Sequence, residues 1–432
     1  MPESWSWCNF GDLCEIITKG SSPKWQGINY IDKSINSILF ITSENVGTEK
    51  LLLDNEKYIE KHFNEIQSRS VLKQNDILIN IVGASIGRSC IYNLEYNDSN
   101  INQAVALVRL LNSEFSMFII KYLNSEVAYN LMIDKQVDFA RANISLSSLA
   151  FFPIPFPPIA EQHRIVSAIE SAFSVIDEIE RNKADLQTAI TAAKSKILSR
   201  AIRGKLVPQD PNDEPASVLL ERIRAEREKL AKAGKIKQGK DESVISRGDD
   251  NSYYARLPES WEVCRLGDIG EIIGGGTPST SEPSYWDGEI PWITPADLSG
   301  YTEKFITNGR RNITSKGLSE SSARLMPTGS ILFSSRAPIG YCVISANEVC
   351  TNQGFKSLVP FVFETTGYVY YFLMAQVNEI RSRASGTTFK EISGTEFGNT
   401  IITISPLAEQ QRIVAAIEST FEQLENIAAM LV

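Results

Sequence analysis

The sequence predicts an α+β fold, mixed α/β in type, that is built twice. Two homologous globular units are expected, separated by long helices that pair as an antiparallel coiled coil in pseudo-twofold order. Three observations carry this expectation. Pro2–Ile17 (PESWSWCNFGDLCEII) returns as Pro258–Ile273 (PESWEVCRLGDIGEII) with ten identities in sixteen positions. Pro158–Phe173 (PIAEQHRIVSAIESAF) returns as Pro406–Phe421 (PLAEQQRIVAAIESTF) with twelve in sixteen. Between and after these repeats run apolar residues spaced alternately four and three apart, the mark of a helical seam. A repeat this long is a tandem pair of domains, not a solenoid.

In chain order, residues 1–155 form the first unit. Ser37–Thr42 (SILFIT) and Asp76–Val82 (DILINIV) read as buried strands and Phe115–Leu131 as a helix. Pro153, Pro155, Pro157 and Pro158 close that unit and open a spacer over 156–233. Its first part, 158–203, carries the seam Ile165, Ile169, Ala172, Ile176, Ile179, Leu186, Ile190, Ala193 and Ile197, interrupted at Lys183. A second helix, 216–233, is densely charged and reads as a solvated face. Residues 234–257 are polar and poor in apolar side chains, which predicts a linker. The second unit, 258–404, repeats the landmarks: Ile290–Thr294 and Ser330–Ser334 as strands, Tyr368–Ile380 as a helix. The chain then enters a C-terminal spacer helix, 405–432, with the partner seam Ile413, Ile417, Thr420, Leu424, Ile427 and Leu431.

Composition narrows the function. The chain has 432 residues, enough for two cores, with 43 Lys and Arg against 52 Asp and Glu, a net charge of −9. A protein that holds nucleic acid by charge alone is basic, so any basic surface here must be a local stripe or come from a partner. No apolar run is long enough for a membrane span, and the N-terminus lacks a signal-peptide pattern. Six cysteines without a Cys-x-x-Cys pair and only two histidines predict reduced thiols, a cytoplasmic protein and no zinc site.

Enzymatic motifs are missing as well. There is no Walker phosphate loop. Gly274–Thr280 (GGGTPST) is Gly-rich without the lysine, and its counterpart KGSSP at Lys19–Pro23 has lost two glycines. It reads as a mobile loop. No Glu-x-Lys or Asp-x-Lys and no Asn/Asp-Pro-Pro-Tyr/Phe tetrapeptide occurs. His62 and His163 are not repeated, so no general base is shared by the two units. Binding is what remains. Loops combining Gly, Ser/Thr, aromatic and cationic residues suit phosphates and base edges. The candidates are Lys19, Lys24, Arg69, Lys73, Arg88 and Arg141 in the first unit. In the second they are Lys304, Arg310, Arg311, Lys316, Arg336, Arg381, Arg383 and Lys390.

P-x-S-W…L-G-D-I, G-G-G-T-P-S…Y-W…I-P-W-I-T, I-L-F-S-S-R-A-P-I-G, T-N-Q-G-F-K-S-L and P-L-A-E-Q-Q-R-I-V together resemble the specificity (S) subunits of type I restriction–modification systems, over essentially the whole chain. The resemblance implies two target recognition domains, each reading half of a split site in double-stranded DNA, held apart by helices. It implies a non-catalytic chain that binds no cofactor itself. Modification subunits with S-adenosylmethionine would methylate adenine, and restriction subunits using ATP and Mg would cut. A helix over Ile165–Arg200 would be roughly 54 Å long, about one and a half DNA turns. Two departures stand out. The first unit has INIVGASIG where the second has FSSRAPIG, placing Val82 near Arg336, and Pro406–Val432 is shorter than Pro158–Gly204 and lacks its K-L-V-P ending. Either the partner helix is short here or the chain stops early. Two other classes stay open at this point: a self-contained nuclease or methyltransferase, and a bivalent interaction protein whose ligands are not nucleic acid.

Overall fold

A computed structural model of the chain describes residues 2–95, 98–134, 143–236, 257–336, 338–386 and 390–430. The chain divides into two compact units, Met1–Glu180 and Arg181–Val432, the division falling inside one helix, Ile159–Ala201. Most of the segment expected as a linker, 237–256, lies outside the described residues.

The first unit is framed by an antiparallel sheet in the order Cys14–Lys19, Val105–Leu110, Ile77–Asn80, Ser89–Ile91. Its strands are apolar on both faces because both faces are covered. Ile77, Ile79 and Val108 point into a core with Phe10, Ile119 and Phe152, while Leu78 and Leu107 point into another with Val46, Leu72 and Tyr92. That is why these segments read as continuous apolar runs instead of alternating ones. A smaller sheet sets Ser37–Ile41 between Tyr58–Glu60, antiparallel, and Asn100–Ile101, parallel. A ribbon of Ser6–Asn9 and Pro153–Phe156 ties the start of the unit to its end.

The second unit repeats this plan. Gly270–Gly274, Lys356–Pro360, Ile331–Phe333 and Cys342–Ser345 form the antiparallel sheet, with Phe305–Ile306 added in parallel at its edge. Arg311–Ile313, Trp286–Ile293 and Cys350–Thr351 form the smaller sheet, and Glu262–Arg265 pairs with Ile401–Ile404. The sequence landmarks therefore hold, with one helix differing. Phe115–Leu131 is two helices, Ser116–Leu123 and Glu126–Asp134. Asn124 breaks the run by donating its side-chain amide to Ser89 O at 2.9 Å, and Ser125 Oγ then accepts from Ala128 N, capping the second helix.

The charged helix, Ala216–Lys232, turns its apolar stripe inward. Ala216, Leu219, Leu220 and Ile223 join the second unit's core with Trp261, while its charges face solvent as expected. Ahead of it, the segment after Gly204 is fastened to the start of the C-terminal helix, Leu407–Ala429. Glu409 is fully buried; its carboxylate accepts from Trp261 Nε1 at 2.8 Å and Gln209 Nε2 at 2.5 Å, and burial raises its pKa. Arg412 forks onto Asp213 at 3.1 and 2.5 Å, which holds the Asp213 carboxyl below its ordinary range.

The seam divides into three stretches. Ile165 packs on the first unit's core and Ile169 is half-buried. Ile176, Ile179 and Leu186 are exposed, along with Phe173 and Val175. Ile190 is buried and Ile197 packs on the second unit's core. On the C-terminal helix, Ile413 and Ile417 are buried, Leu424 half-buried and Ile427 exposed. The two helices meet antiparallel within the second unit: Lys194 Nζ sits 2.7 Å from Glu425 and over the Phe421 ring, while Ile202 O accepts from Thr403 Oγ1 at 2.9 Å.

Candidate nucleic-acid interface

At one end of each antiparallel sheet the chain turns through loops that lock together. In the second unit Gly275 lies so close to its neighbour that an added Cβ would stand 1.9 Å from Asn352 O, and one on Gly276 would stand 2.3 Å from Ala323 N. Gly276 N donates to Thr351 O at 2.9 Å, and Trp292 Nε1 donates to Gly276 O at 2.9 Å. The Gly-rich loop is therefore fastened, a correction to its reading as mobile. Gly275 and Gly276 serve close backbone approach. Gly20 does the same in the first unit, where a Cβ would meet Ile101 O at 1.8 Å.

The turns that these glycines touch carry a signal the sequence reading passed over. Asn102-Gln103 and Asn352-Gln353 repeat in both units. Each Asn folds back on its own turn, Asn102 Oδ1 accepting from Ala104 N at 3.0 Å and Asn352 Oδ1 from Gly354 N at 2.9 Å. Each Gln is left exposed at the tip, with Gln353 accepting from Thr277 Oγ1. An exposed amide on a braced turn suits bidentate contact with a base edge. The repeat of N-Q at matching landmarks would have revealed it.

Beside this turn, Arg336 pairs in a β-bridge with Glu391, and its Nε donates to Glu391 Oε2 at 2.9 Å. Lys356 Nζ takes the other carboxylate oxygen at 3.2 Å. The same bridge in the first unit joins Val82 to Asn143, confirming the alignment of Val82 with Arg336. Thus one backbone device carries a charged cluster in one unit and uncharged side chains in the other.

The other candidates fall into distinct places. Lys19, Lys73 and Arg88 are exposed on loops or a strand end of the first unit, and Lys24 and Arg69 are exposed on the short helical turns Pro23–Gln26 and Ser68–Ser70. Arg141 lies outside the described residues. Arg311 stacks on the Trp286 ring at 3.8 Å, Lys316 lies over Tyr285 at 5.6 Å, and exposed Arg310 stands 3.7 Å from Asp297. Lys390 is exposed next to the Arg336 bridge partner, Glu391. Three cations are engaged in the framework. Lys304 binds Glu418 at 2.5 Å and lies over Tyr371 at 4.8 Å. Arg381 donates to Ile339 O at 2.8 Å, and Arg383 reaches Glu396 O at 3.0 Å and Thr400 Oγ1 at 2.8 Å.

Catalytic alternatives find little here. Among the described residues no three His, Cys, Asp or Glu side chains cluster as metal ligands. All six cysteines are free, and burial pushes the Cys14, Cys90 and Cys350 thiols up to about 12, away from thiolate chemistry at neutral pH. His62 is exposed and contacts Glu65 at 2.6 Å.

A frame used twice, with matching helix starts and unlike loop rims, defines a tandem-domain specificity module. The chain belongs to the type I restriction modification DNA specificity domain family, whose model matches residues 2–187 and 258–429. It is 41% identical over 173 residues to the MjaIX specificity subunit of Methanocaldococcus jannaschii, a match covering 40% of each chain. It is 28% identical over 335 residues to the EcoAI specificity subunit of Escherichia coli, covering 64% of this chain and 54% of that one. The matches thus span about half, or less, of these relatives. The crystal structure of the HsdS subunit from Thermoanaerobacter tengcongensis shares the fold, with a TM-score of 0.58 at 18% identity over 100% of this chain and 91% of that one.

Proposed function

We propose that this chain is the sequence-reading, non-catalytic subunit of a type I restriction–modification complex. Each unit reads one half of a bipartite site in double-stranded DNA, through the loop cluster at the end of its antiparallel sheet. The observation that carries this is the pair of matched rims. The framework glycine and the N-Q turn are the same in both units, while the bridge beside them is Arg336–Glu391 in one and Val82–Asn143 in the other. Equal frames with unlike chemistry suit an asymmetric, two-part target. Direct readout takes donors and acceptors at a rim, which Gln103, Gln353 and Arg336 offer.

The acidic balance fits a reader that borrows phosphate contacts from its partners. Modification subunits would bring S-adenosylmethionine, and restriction subunits ATP and Mg. No helix among the described residues is long and apolar enough to cross a membrane, and a cytoplasmic complex fits this reading.

The test is exchange of residues 1–155 for the corresponding unit of another specificity subunit, co-expressed with the modification subunit. Adenine methylation mapped genome-wide should show one half-site changed and the other retained. Methylation by this chain alone with cofactor, or both half-sites altered together, would refute the reading. Arg336→Ala should lower discrimination at one position of the second half-site by about 1–3 kcal/mol, measured by binding to single-substituted duplexes. Unchanged discrimination would return Arg336 to a structural role.

A further inference from the structure

Both units carry a Trp-x-Gly between the rim glycine and the aromatic-Ile-Thr that closes the central strand of the smaller sheet. They are Trp25-Gln26-Gly27 in the first unit and Trp286-Asp287-Gly288 in the second. The second copy is interior. Trp286 is 5% exposed, stands edge-on to Trp292 at 5.0 Å and donates its Nε1 to Ser279 O at 3.1 Å. The first copy is turned outward: Trp25 is 75% exposed, more than any other of the six tryptophans. The place beside the strand is filled there by other rings, because Phe40, aligned with Trp292, meets Tyr30 and Phe63 edge-on at 6.1 and 5.6 Å.

The turn that displays Trp25 is braced. Pro23 and Ile28 are buried, Trp25 N donates to Ser22 O at 3.1 Å, and Ile28 N donates to Pro23 O at 3.0 Å. Gly27 closes the turn at φ +71°, a conformation glycine adopts without strain. Gln26 Nε2 donates to Ser21 Oγ at 3.3 Å, which joins the turn to the residue after Gly20, the glycine packed on the Asn102-Gln103 turn. From Ile16 to Ile31 the charged residues are Lys19 and Lys24, both exposed. From Ile272 to Trp286 the second unit has Glu282 and no cation. A single exposed apolar side chain is ordinary on a surface. A braced turn, two neighbouring cations and a buried counterpart set Trp25 apart.

We propose that the Pro23–Gln26 turn is a further contact to duplex DNA, resting on the reading of this chain as a DNA-binding subunit. The Trp25 indole enters a base step beside the first half-site as an apolar wedge, partly unstacking it, and Lys24 takes an adjoining phosphate. Every base offers a π-face, so such a contact adds affinity without choosing a sequence. Base choice stays with the rim. The contact belongs to the first unit alone, because the second unit's copy of the indole is interior and its loop carries no cation.

The test uses the full chain assembled with its modification subunits, and a duplex carrying the motif found by methylation mapping. Trp25→Ala should melt as the native chain does, since the side chain stands in solvent, yet bind the duplex at least about fivefold more weakly with the motif unchanged. Tryptophan emission should fall on binding, and that fall should be absent in Trp25→Phe. Lys24→Gln should reduce the slope of log affinity against log salt by about 1. A mismatch scanned through the flank lowers the cost of unstacking, so at one step beside the first half-site it should tighten binding of the native chain and leave Trp25→Ala unmoved. Affinity and emission indifferent to Trp25 would overturn the proposal. Loss of the modification subunits from the Trp25→Ala complex would assign the turn to a protein contact and overturn it equally. A native complex that binds no duplex selectively would overturn the underlying reading, an outcome distinct from either.

Discussion

Asp76→Ala is expected to destabilise the first unit by about 3–5 kcal/mol, the range for stranding one member of a buried ion pair. Asp76 is 1% exposed, and its two oxygens take Arg109 Nε and Nη2 at 2.8 and 2.7 Å while one also accepts from Lys73 N at 2.7 Å. Removing the carboxylate leaves the Arg109 guanidinium largely buried and the turn before the Ile77–Asn80 strand unsupported. Amide exchange of Ile77–Asn80 and Val105–Leu110 should accelerate by roughly 100-fold or more. Asp76→Leu combined with Arg109→Leu should recover much of the loss, since the pair stands where the second unit has Ser330 and Val359. Exchange rates that barely change in the single variant would show that the pair is a solvated contact.

Gly275→Ala is expected to have the largest effect on the second unit's rim. The new Cβ would overlap the Asn352 carbonyl, a backbone atom that no side-chain rotation can move aside. The loop must lift, loosening the Gly276–Thr351 and Trp292–Gly276 hydrogen bonds together, so a loss of about 3 kcal/mol follows from overpacking plus those bonds. Gly274→Ala is the control, because nothing lies within 4 Å of its added Cβ. Thermal melting would measure the first effect. Methylation mapping should show the second half-site degraded and the first retained. A Gly275→Ala protein as stable and selective as its Gly274→Ala control would show that the loop is not fastened.

Much of the frame was legible in the sequence because it rests on local or repeated signals. The proline run at 153–158, the apolar strands and the doubled helix start each announce themselves within a few residues. What escaped depends on distant partners. Lys304, Arg381 and Arg383 look like free surface cations in sequence, yet each is held by groups on other elements. The break at Asn124 needs Ser89, far away along the chain, to accept its amide. The seam was readable as a period, but the period cannot say which of its positions find a neighbour. Gln103 and Gln353 were within reach, since their repetition is visible once the two units are aligned.

The bridge beside the N-Q turn has a consequence for how such a protein changes over time. Its backbone is held by hydrogen bonds between main-chain groups, while its side chains stand at the surface. Arg336 and Glu391, or Val82 and Asn143, hang from the same scaffold without entering either core. Surface substitutions of this kind usually shift stability by no more than about 0.5 kcal/mol. These positions can therefore change, one unit at a time, with little effect on the fold that presents them.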